Sequence, residues 1–214
     1  MNQAACDFCH FRCRIALDQL GHCGVRRNVA GHLVTESFGK AVSLAVDPVE
    51  KKPLYHVQPG SMTLSVALFG CNLRCRFCQN AAISQAENRE GAGYSHLSPY
   101  DLADRMVSLG LSSVSFTYSE PTVWQDWMVE AARAVKERGG RNFMVTNGSF
   151  TPEARGRFAG LIDAYNIDVK GTDAFYRDWC GGLLEPVLDN VRALCRDPSV
   201  AVEACTLLIE GIHT

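Results

Sequence analysis

Three cysteines at C-x3-C-x2-C spacing, Cys71-Asn72-Leu73-Arg74-Cys75-Arg76-Phe77-Cys78, constrain this chain more than any other stretch. They follow the apolar run Leu64-Ser65-Val66-Ala67-Leu68-Phe69, which ends at Gly70. A short apolar run closed by a turn residue predicts a buried strand. The thiols then lie on a loop at the C-terminal end of that strand, where α/β folds bind their ligands. Thiols this close suit a cubane iron–sulfur cluster, which takes four ligands, normally cysteine thiolates. Three protein ligands leave one iron open, much as a catalytic zinc keeps one position free. Cys75 and Cys78 alone would equally fit a redox pair or half of a zinc site. Cys71, the preceding strand and aromatic Phe77 beside the last cysteine favour the cluster.

A second thiol group opens the chain as Cys6-x2-Cys9-x3-Cys13-x9-Cys23, with His10 and His22 among the cysteines. Four thiols interrupted by Gly21 and Gly24 can close around one centre. Tetrahedral zinc would hold a small loop-rich lobe together. An auxiliary iron–sulfur cluster fits the same ligands, and both readings stay open. The ten cysteines cluster instead of spreading as disulfide staples, and the start carries no signal-peptide pattern. Metal-bound thiols in a reducing cytoplasm are therefore expected. With 47% hydrophobic and 21% charged residues, the 214-residue chain reads as an ordinary soluble globular protein with one main core. Its formal net charge of −2 and lack of a basic stripe argue against nucleic-acid binding. No apolar run approaches membrane-spanning length.

Beyond the cysteine loop, strand and helix signals alternate. Ser98 caps a helix with Pro99 at its first position and Asp101 in its first turn; Leu102, Met106 and Leu109 form its apolar face, and Gly110 stops it. Thr122 caps a second, with Trp124, Trp127, Met128, Ala131 and Val135 as its buried stripe. Thr151-Pro152-Glu153 opens a third. A short helix around 175–179 and a longer one over 186–195 follow. Residues 113–117, 142–146, 165–169 and 201–209 read as strands, which with 64–69 make five core strands of a parallel sheet. Before the loop, the runs 33–38 and 41–46 flank Gly39-Lys40 and predict a hairpin. The proline-punctuated stretch 47–56 reads as a linker with Lys51 and Lys52 on a solvated surface. Residues 1–60 are thus expected to form a Cys-rich lobe with its hairpin, and 61–214 the main α/β domain.

The C-x3-C-x2-C motif with an aromatic before its last cysteine resembles the signature of radical S-adenosylmethionine (radical SAM) enzymes. The resemblance widens with the cysteine quartet, Asp47-Pro48-Val49-Glu50-Lys51-Lys52-Pro53-Leu54-Tyr55-His56, Pro59-Gly60-Ser61 and Gly70 through Asn80. Together these are similar to the radical SAM enzymes of the AmmeMemoRadiSam system, relatives of the pyruvate formate-lyase activating enzymes. The resemblance implies an α/β partial (β/α)6 barrel, a 4Fe–4S cluster on Cys71, Cys75 and Cys78, and S-adenosylmethionine on the open iron. It implies reductive cleavage to a 5′-deoxyadenosyl radical that abstracts hydrogen from a substrate, by analogy a protein glycine. An electron donor such as a flavodoxin or ferredoxin would be a partner. Members continue into a sixth strand, so the chain, ending just past the fifth, is expected to stop short of a full barrel.

The strand-end loops carry the remaining candidates. Tyr118-Ser119-Glu120 stands where relatives carry Gly-Gly-Glu, so Glu120 is expected to meet the cofactor's ammonium group, while the glycines' backbone contact is open. Thr146-Asn147-Gly148 resembles the relatives' Thr-Asn-Gly, with Thr146 on the cofactor. Asp168-Val169-Lys170 resembles their Asp-x-Lys, with Asp168 and Lys170 at the ribose and carboxylate. Glu203, inside the fifth strand, is satisfied by a partner or functional. Cys180, Cys195 and Cys205 read as buried small hydrophobes, with Cys180 before Gly181-Gly182 the one open to exposure. Two rival functions remain: a zinc-binding interaction module, and a cluster-binding fragment without turnover.

Overall fold

The computed structural model describes residues 3–85 and 93–213. The N-terminal lobe holds two small antiparallel pairs, β1 (Gln3–Ala5) with β2 (Arg14–Ala16) and β3 (Arg26–Val29) with β4 (His32–Thr35). Residues 40–48 form β5 (Lys40–Pro48), which runs antiparallel to β6 (Met62–Leu68). The expected hairpin between 33–38 and 41–46 is therefore not formed. Leu33, Val34 and Thr35 pair back onto Asn28, Arg27 and Arg26 instead. Ala30 and Gly31 both take positive φ, 52° and 89°, as a tight two-residue turn demands. Freed from that pairing, β5 joins the larger sheet through β6.

The rest of the chain adds α1 (Ala81–Ser84), β7 (Ser95–His96), α2 (Pro99–Ser108), β8 (Ser113–Phe116), α3 (Gln125–Glu137), β9 (Arg141–Thr146), α4 (Pro152–Phe158), β10 (Ala164–Asp168), α5 (Asp173–Phe175), α6 (Glu185–Leu194) and β11 (Ala201–Cys205). Seven strands form one curled sheet in the order β11-β10-β9-β8-β6-β5-β7. Its five strands β6, β8, β9, β10 and β11 are parallel. This is an α/β half-barrel with the five core strands expected, plus two antiparallel strands at one edge. The fifth strand ends at Cys205, short of the expected residue 209.

Local chemistry sets the helix starts. Ser98 and Asp101 form a reciprocal capping box at α2, and the Thr151 hydroxyl accepts from the Ala154 N–H at α4. The second helix begins differently from the expectation. Glu120, not Thr122, caps a 3-10 turn over Pro121–Trp124 that runs on into α3. A carboxylate accepts an orphan N–H more strongly than a hydroxyl and suits the positive helix start.

The sheet's two faces differ in kind. Leu64, Val66, Leu68, Val114, Phe116, Met144, Tyr165 and Ile167 join Trp124, Trp127 and Met128 in the main core under the helices. The alternate residues, Thr63, Ser65, Ser115, Phe143 and Asn166, are buried on the concave face. The segment after β5 covers the lower part of that face: Val49, Leu54 and Val57 pack on Phe143 and Ala164. Asn166 Nδ2 donates to the Pro53 carbonyl at 3.0 Å. The backbone N–H groups of Tyr55 and His56 donate to Glu203 at 3.0 and 2.9 Å. Glu203 is thereby satisfied by this strap and lies away from the candidate site.

Lys52 corrects the surface expectation. Its side chain is 1% exposed and its ammonium donates to Asp47 Oδ2 at 2.8 Å. Asp47 also accepts from Lys51 at 2.7 Å and from the Tyr118 hydroxyl, and the Tyr118 ring lies 4.1 Å from the Lys52 ammonium. Burial alone would raise the Asp47 carboxyl, but the two lysines and Tyr118 hold it well below its ordinary value. Replacing Asp47 by Ala would strand the Lys52 charge. Breaking a buried pair on one side costs about 3–5 kcal/mol, so Asp47→Ala is expected to lower unfolding free energy by that order in a urea titration.

Candidate functional site

The cysteine loop leaves β6 through Gly70, whose φ is 110°. A Cβ there would come within 2.7 Å of Val25 Cγ1, so only glycine lets the loop pass beneath the N-terminal lobe. Leu73 is 1% exposed and anchors the loop in the core. The Leu73 N–H donates to Cys71 Sγ at 3.3 Å and Asn147 Nδ2 approaches the same sulfur at 3.7 Å. Arg74 Nη1 donates to the Cys71 carbonyl at 2.8 Å, and Cys78 Sγ lies 3.3 Å from Ser84 Oγ. Cys71, Cys75 and Cys78 are all half-buried. Burial, then the nearby charge of Glu120, raises the Cys71 thiol; a hydrogen bond with the Cys180 thiol, then burial, raises Cys75. Metal uptake must therefore displace protons from these sulfurs.

The strand-end residues gather around this loop in two pairs. Glu120 is buried and accepts from Thr146 Oγ1 at 2.7 Å, Asn147 N at 2.8 Å and Thr122 N at 3.0 Å. Burial raises its carboxyl against these donors. Glu120 and Thr146 thus stand joined on the Cys71 side. Tyr118, two residues earlier, has φ 67°, in the left-handed region that favours glycine. The first of the two non-glycine positions therefore keeps a glycine-like backbone. On the other side, Lys170 Nζ donates to Asp168 Oδ2 at 2.7 Å, and both charges act on Cys75. Burial would lower the Lys170 ammonium, but Asp168 outweighs it and holds the group raised.

The N-terminal cysteines come together as a second group. Cys6, Cys9, Cys13 and Cys23 line one small cavity with Phe8, Ile15, Gly21, Arg26 and Val123. Backbone N–H groups two residues on donate to three of the sulfurs: Phe8 to Cys6, Phe11 to Cys9 and Val25 to Cys23. The His22 N–H donates to Cys13 Sγ at 3.5 Å. Burial pushes Cys9 up to about 12. Among the described residues, no three His, Cys, Asp or Glu side chains are drawn in closely enough to hold a single ion as they stand. That holds for both cysteine groups.

Asn72 and Asn147 were missed in the sequence. Asn147 Nδ2 donates to Asn72 Oδ1 at 2.7 Å, and Asn72 Nδ2 donates to the Ser149 carbonyl at 3.4 Å. The Asn72 side chain also hydrogen-bonds the Cys9 thiol. The two asparagines therefore link Cys71 of one group to Cys9 of the other. Asn72 sits inside the cysteine motif, which was the available signal; Asn147 read as an ordinary Asn-Gly turn. Of the remaining cysteines, Cys180, the one open to exposure, is fully buried, whereas Cys205 is half-buried and Cys195 is exposed, against the expectation of burial for those two. Cys195 is the C-cap residue of α6 and is exposed there.

The profile of the Radical SAM superfamily matches residues 66–209, and the chain belongs to that family. It is 36% identical over 212 residues to the uncharacterized protein MJ0808 of Methanocaldococcus jannaschii, covering 99% of this chain and 62% of that protein. It is 26% identical over 161 residues to the putative glycyl-radical enzyme activating enzyme MJ1227 of the same organism, covering 72% and 64%. It is 28% identical over 129 residues to 7-carboxy-7-deazaguanine synthase of Methanothermobacter thermautotrophicus, covering 59% and 49%. The chain thus spans from about half to under two thirds of the length of these relatives.

Removing the Glu120 carboxylate leaves three buried donors unpaired. An unsatisfied buried group costs about 1–3 kcal/mol, so Glu120→Ala is expected to lose at least that in chemical denaturation. Glu120→Gln, which keeps an acceptor oxygen, should lose less.

Proposed function

We propose that this chain is the cluster-bearing part of a radical SAM enzyme, with Cys71, Cys75 and Cys78 holding a 4Fe–4S cluster. The carrying observation is that three thiols on one strand-end loop are flanked by two acid-containing pairs, Glu120–Thr146 and Asp168–Lys170. The donor set fits the group. Three thiolates can hold a cubane with one iron left open, and amide donors already point at Cys71 Sγ. When bound, the cluster and S-adenosylmethionine supply a 5′-deoxyadenosyl radical for hydrogen abstraction. The residues' own work is positioning. Glu120 offers a fixed negative charge to an ammonium group, and Asp168 with Lys170 offers both signs to a zwitterion. The buried concave face below, closed by the strap from Val49 to Val57, excludes water from beneath the site. No general base is needed for hydrogen-atom abstraction.

The finer reading is an activating-type enzyme of the AmmeMemoRadiSam system, with a protein glycine as substrate and a flavodoxin or ferredoxin as electron donor. The wider sequence string and the likeness to a putative activating enzyme support it. A reducing, cytoplasmic setting belongs to this reading, because clustered metal-binding thiols suit it; among the described residues no helix is long and apolar enough to cross a membrane. Cys6, Cys9, Cys13 and Cys23 form a second thiolate metal centre in this reading. The shared cavity and the N–H groups aimed at their sulfurs support it.

Electron paramagnetic resonance of the anaerobically reconstituted, reduced chain tests the main reading. A cluster signal that changes on adding S-adenosylmethionine is expected, and Cys71→Ala, Cys75→Ala or Cys78→Ala should abolish it. A colourless protein containing only zinc would defeat the reading in favour of the interaction module. A signal indifferent to S-adenosylmethionine would favour the fragment without turnover. Metal analysis of the Cys71→Ala, Cys75→Ala, Cys78→Ala triple variant isolates the second centre: residual zinc or iron, lost on further Cys9→Ala, is expected.

A further inference from the structure

The cysteine loop reaches the surface between two arginines. Arg74 and Arg76 stand one residue either side of Cys75, and both are exposed. Backbone contacts fix where they emerge. The Arg74 N–H donates to the Cys180 carbonyl at 2.7 Å and the Arg76 N–H to the Trp179 carbonyl at 2.9 Å. Those carbonyls belong to a single π-helical turn, Tyr176–Cys180, closed by Gly181 at φ 66°. Such turns are rare and recur at functional sites. A Cβ at Gly181 would stand 3.5 Å from Arg74 Cβ, and one at Gly182 would overlap Leu73, so the turn lies directly against the loop. The Arg74 guanidinium donates to the carbonyl of Cys71 at 2.8 Å and to that of His22. The Arg76 guanidinium lies 5.5 Å over the half-buried Trp179 ring.

Among the described residues, neither guanidinium has a carboxylate partner; carbonyl dipoles hold Arg74 without cancelling its charge. No Asp or Glu occurs between Gly70 and Gln85, and Asp178, on the π turn, is taken up by Arg177 at 2.9 Å. The loop therefore presents two uncompensated positive charges beside an aromatic ring, on a chain whose formal net charge is −2. Arginine and aromatic rings are enriched in protein interfaces, and complementary charge steers partners together. Electron transfer slows steeply with distance, so a donor must seat where the cluster ligands come near solvent. Cys71, Cys75 and Cys78 are half-buried here. We propose that Arg74, Arg76 and Trp179 form the seat of the electron donor, an acidic one-electron carrier protein. The inference rests on the cluster reading above. One electron crosses: the carrier is oxidised by one and the cluster reduced by one, with no bond made or broken. Electron-transfer encounters bury little surface, so steering charge sets their rate.

The test is the rate at which the reconstituted chain's cluster is reduced, followed by anaerobic stopped-flow absorbance. Two reductants are compared: a reduced flavodoxin of net negative charge, and photoreduced deazaflavin, small and uncharged. Arg76 is the residue to change, because Arg74 also braces the loop through the Cys71 carbonyl. Arg76→Glu is expected to slow reduction by flavodoxin about tenfold at low salt, the lower end of what electrostatic steering supplies, and to leave reduction by deazaflavin unchanged. Arg76→Lys, which keeps the charge, should retain most of the rate. Arg133→Glu, the same charge change at an exposed arginine on α3, should not slow either reductant. With the unsubstituted chain the flavodoxin rate should fall as salt is added, and with Arg76→Glu it should fall less. Equal flavodoxin rates for Arg76→Glu and the unsubstituted chain would overturn the inference alone. So would equal slowing by Arg133→Glu, because net charge and not this patch would then govern the encounter. Slowing of both reductants by Arg76→Glu would overturn it too, marking a disturbed cluster. An unsubstituted chain that assembles no cluster would defeat the underlying reading and the inference with it.

Discussion

Parallel pairing of β6, β8, β9, β10 and β11 is the constraint on which the site depends. Strands that share one direction end at one rim, so the loops after them converge whatever their distance in sequence. Cys71 follows the first of these strands, Glu120 the second, Thr146 the third, and Asp168 and Lys170 sit at the end of the fourth. Residues up to a hundred positions apart thereby face one loop. The hydrogen bond from Thr146 to Glu120 and the one from Lys170 to Asp168 lock their side chains in place before any ligand arrives, which is the economy of a preorganised site.

Two polar networks support that rim from below and from the side. Below, Asp47, Lys52 and Tyr118 form a buried charged cluster that pins the strap to the concave face. Tyr118 belongs to both levels, since its backbone leads into Glu120 while its hydroxyl reaches Asp47. From the side, the N-terminal lobe docks through Arg26, which donates to Asp126 on α3 at 2.8 Å, and through Arg12, which donates to Glu153 on α4 at 2.7 Å. Asn72 and Asn147 then join the lobe's Cys9 to Cys71. The second cysteine group is thus connected to the first through these two asparagines.

Some elements were legible because their signals are local. Ser98 with Asp101, and Thr151 before Pro152, announce helix starts through caps that need no distant partner. The alternation of short strand signals with helix signals announces a parallel sheet. The hairpin reading of 33–46 failed because alternation marks a strand without naming its neighbour. Lys52 failed for a related reason: its burial is set by Asp47, Tyr118 and the concave face of strands far along the chain.

What the amino-acid order determined by itself is the inventory: three thiols at fixed spacing on a strand-end loop, four more at the start, and strand–helix alternation between. Covalent spacing and local caps carry that information, so it survives without a fold. The tertiary structure decided which groups act together. It set Glu120 against Thr146, turned Glu203 to the strap, buried Lys52 and brought the Cys180 carbonyl onto the Arg74 N–H of the cysteine loop. Each of those outcomes depends on contact between segments distant in sequence and on the loss of water around them, and neither is encoded in any single stretch.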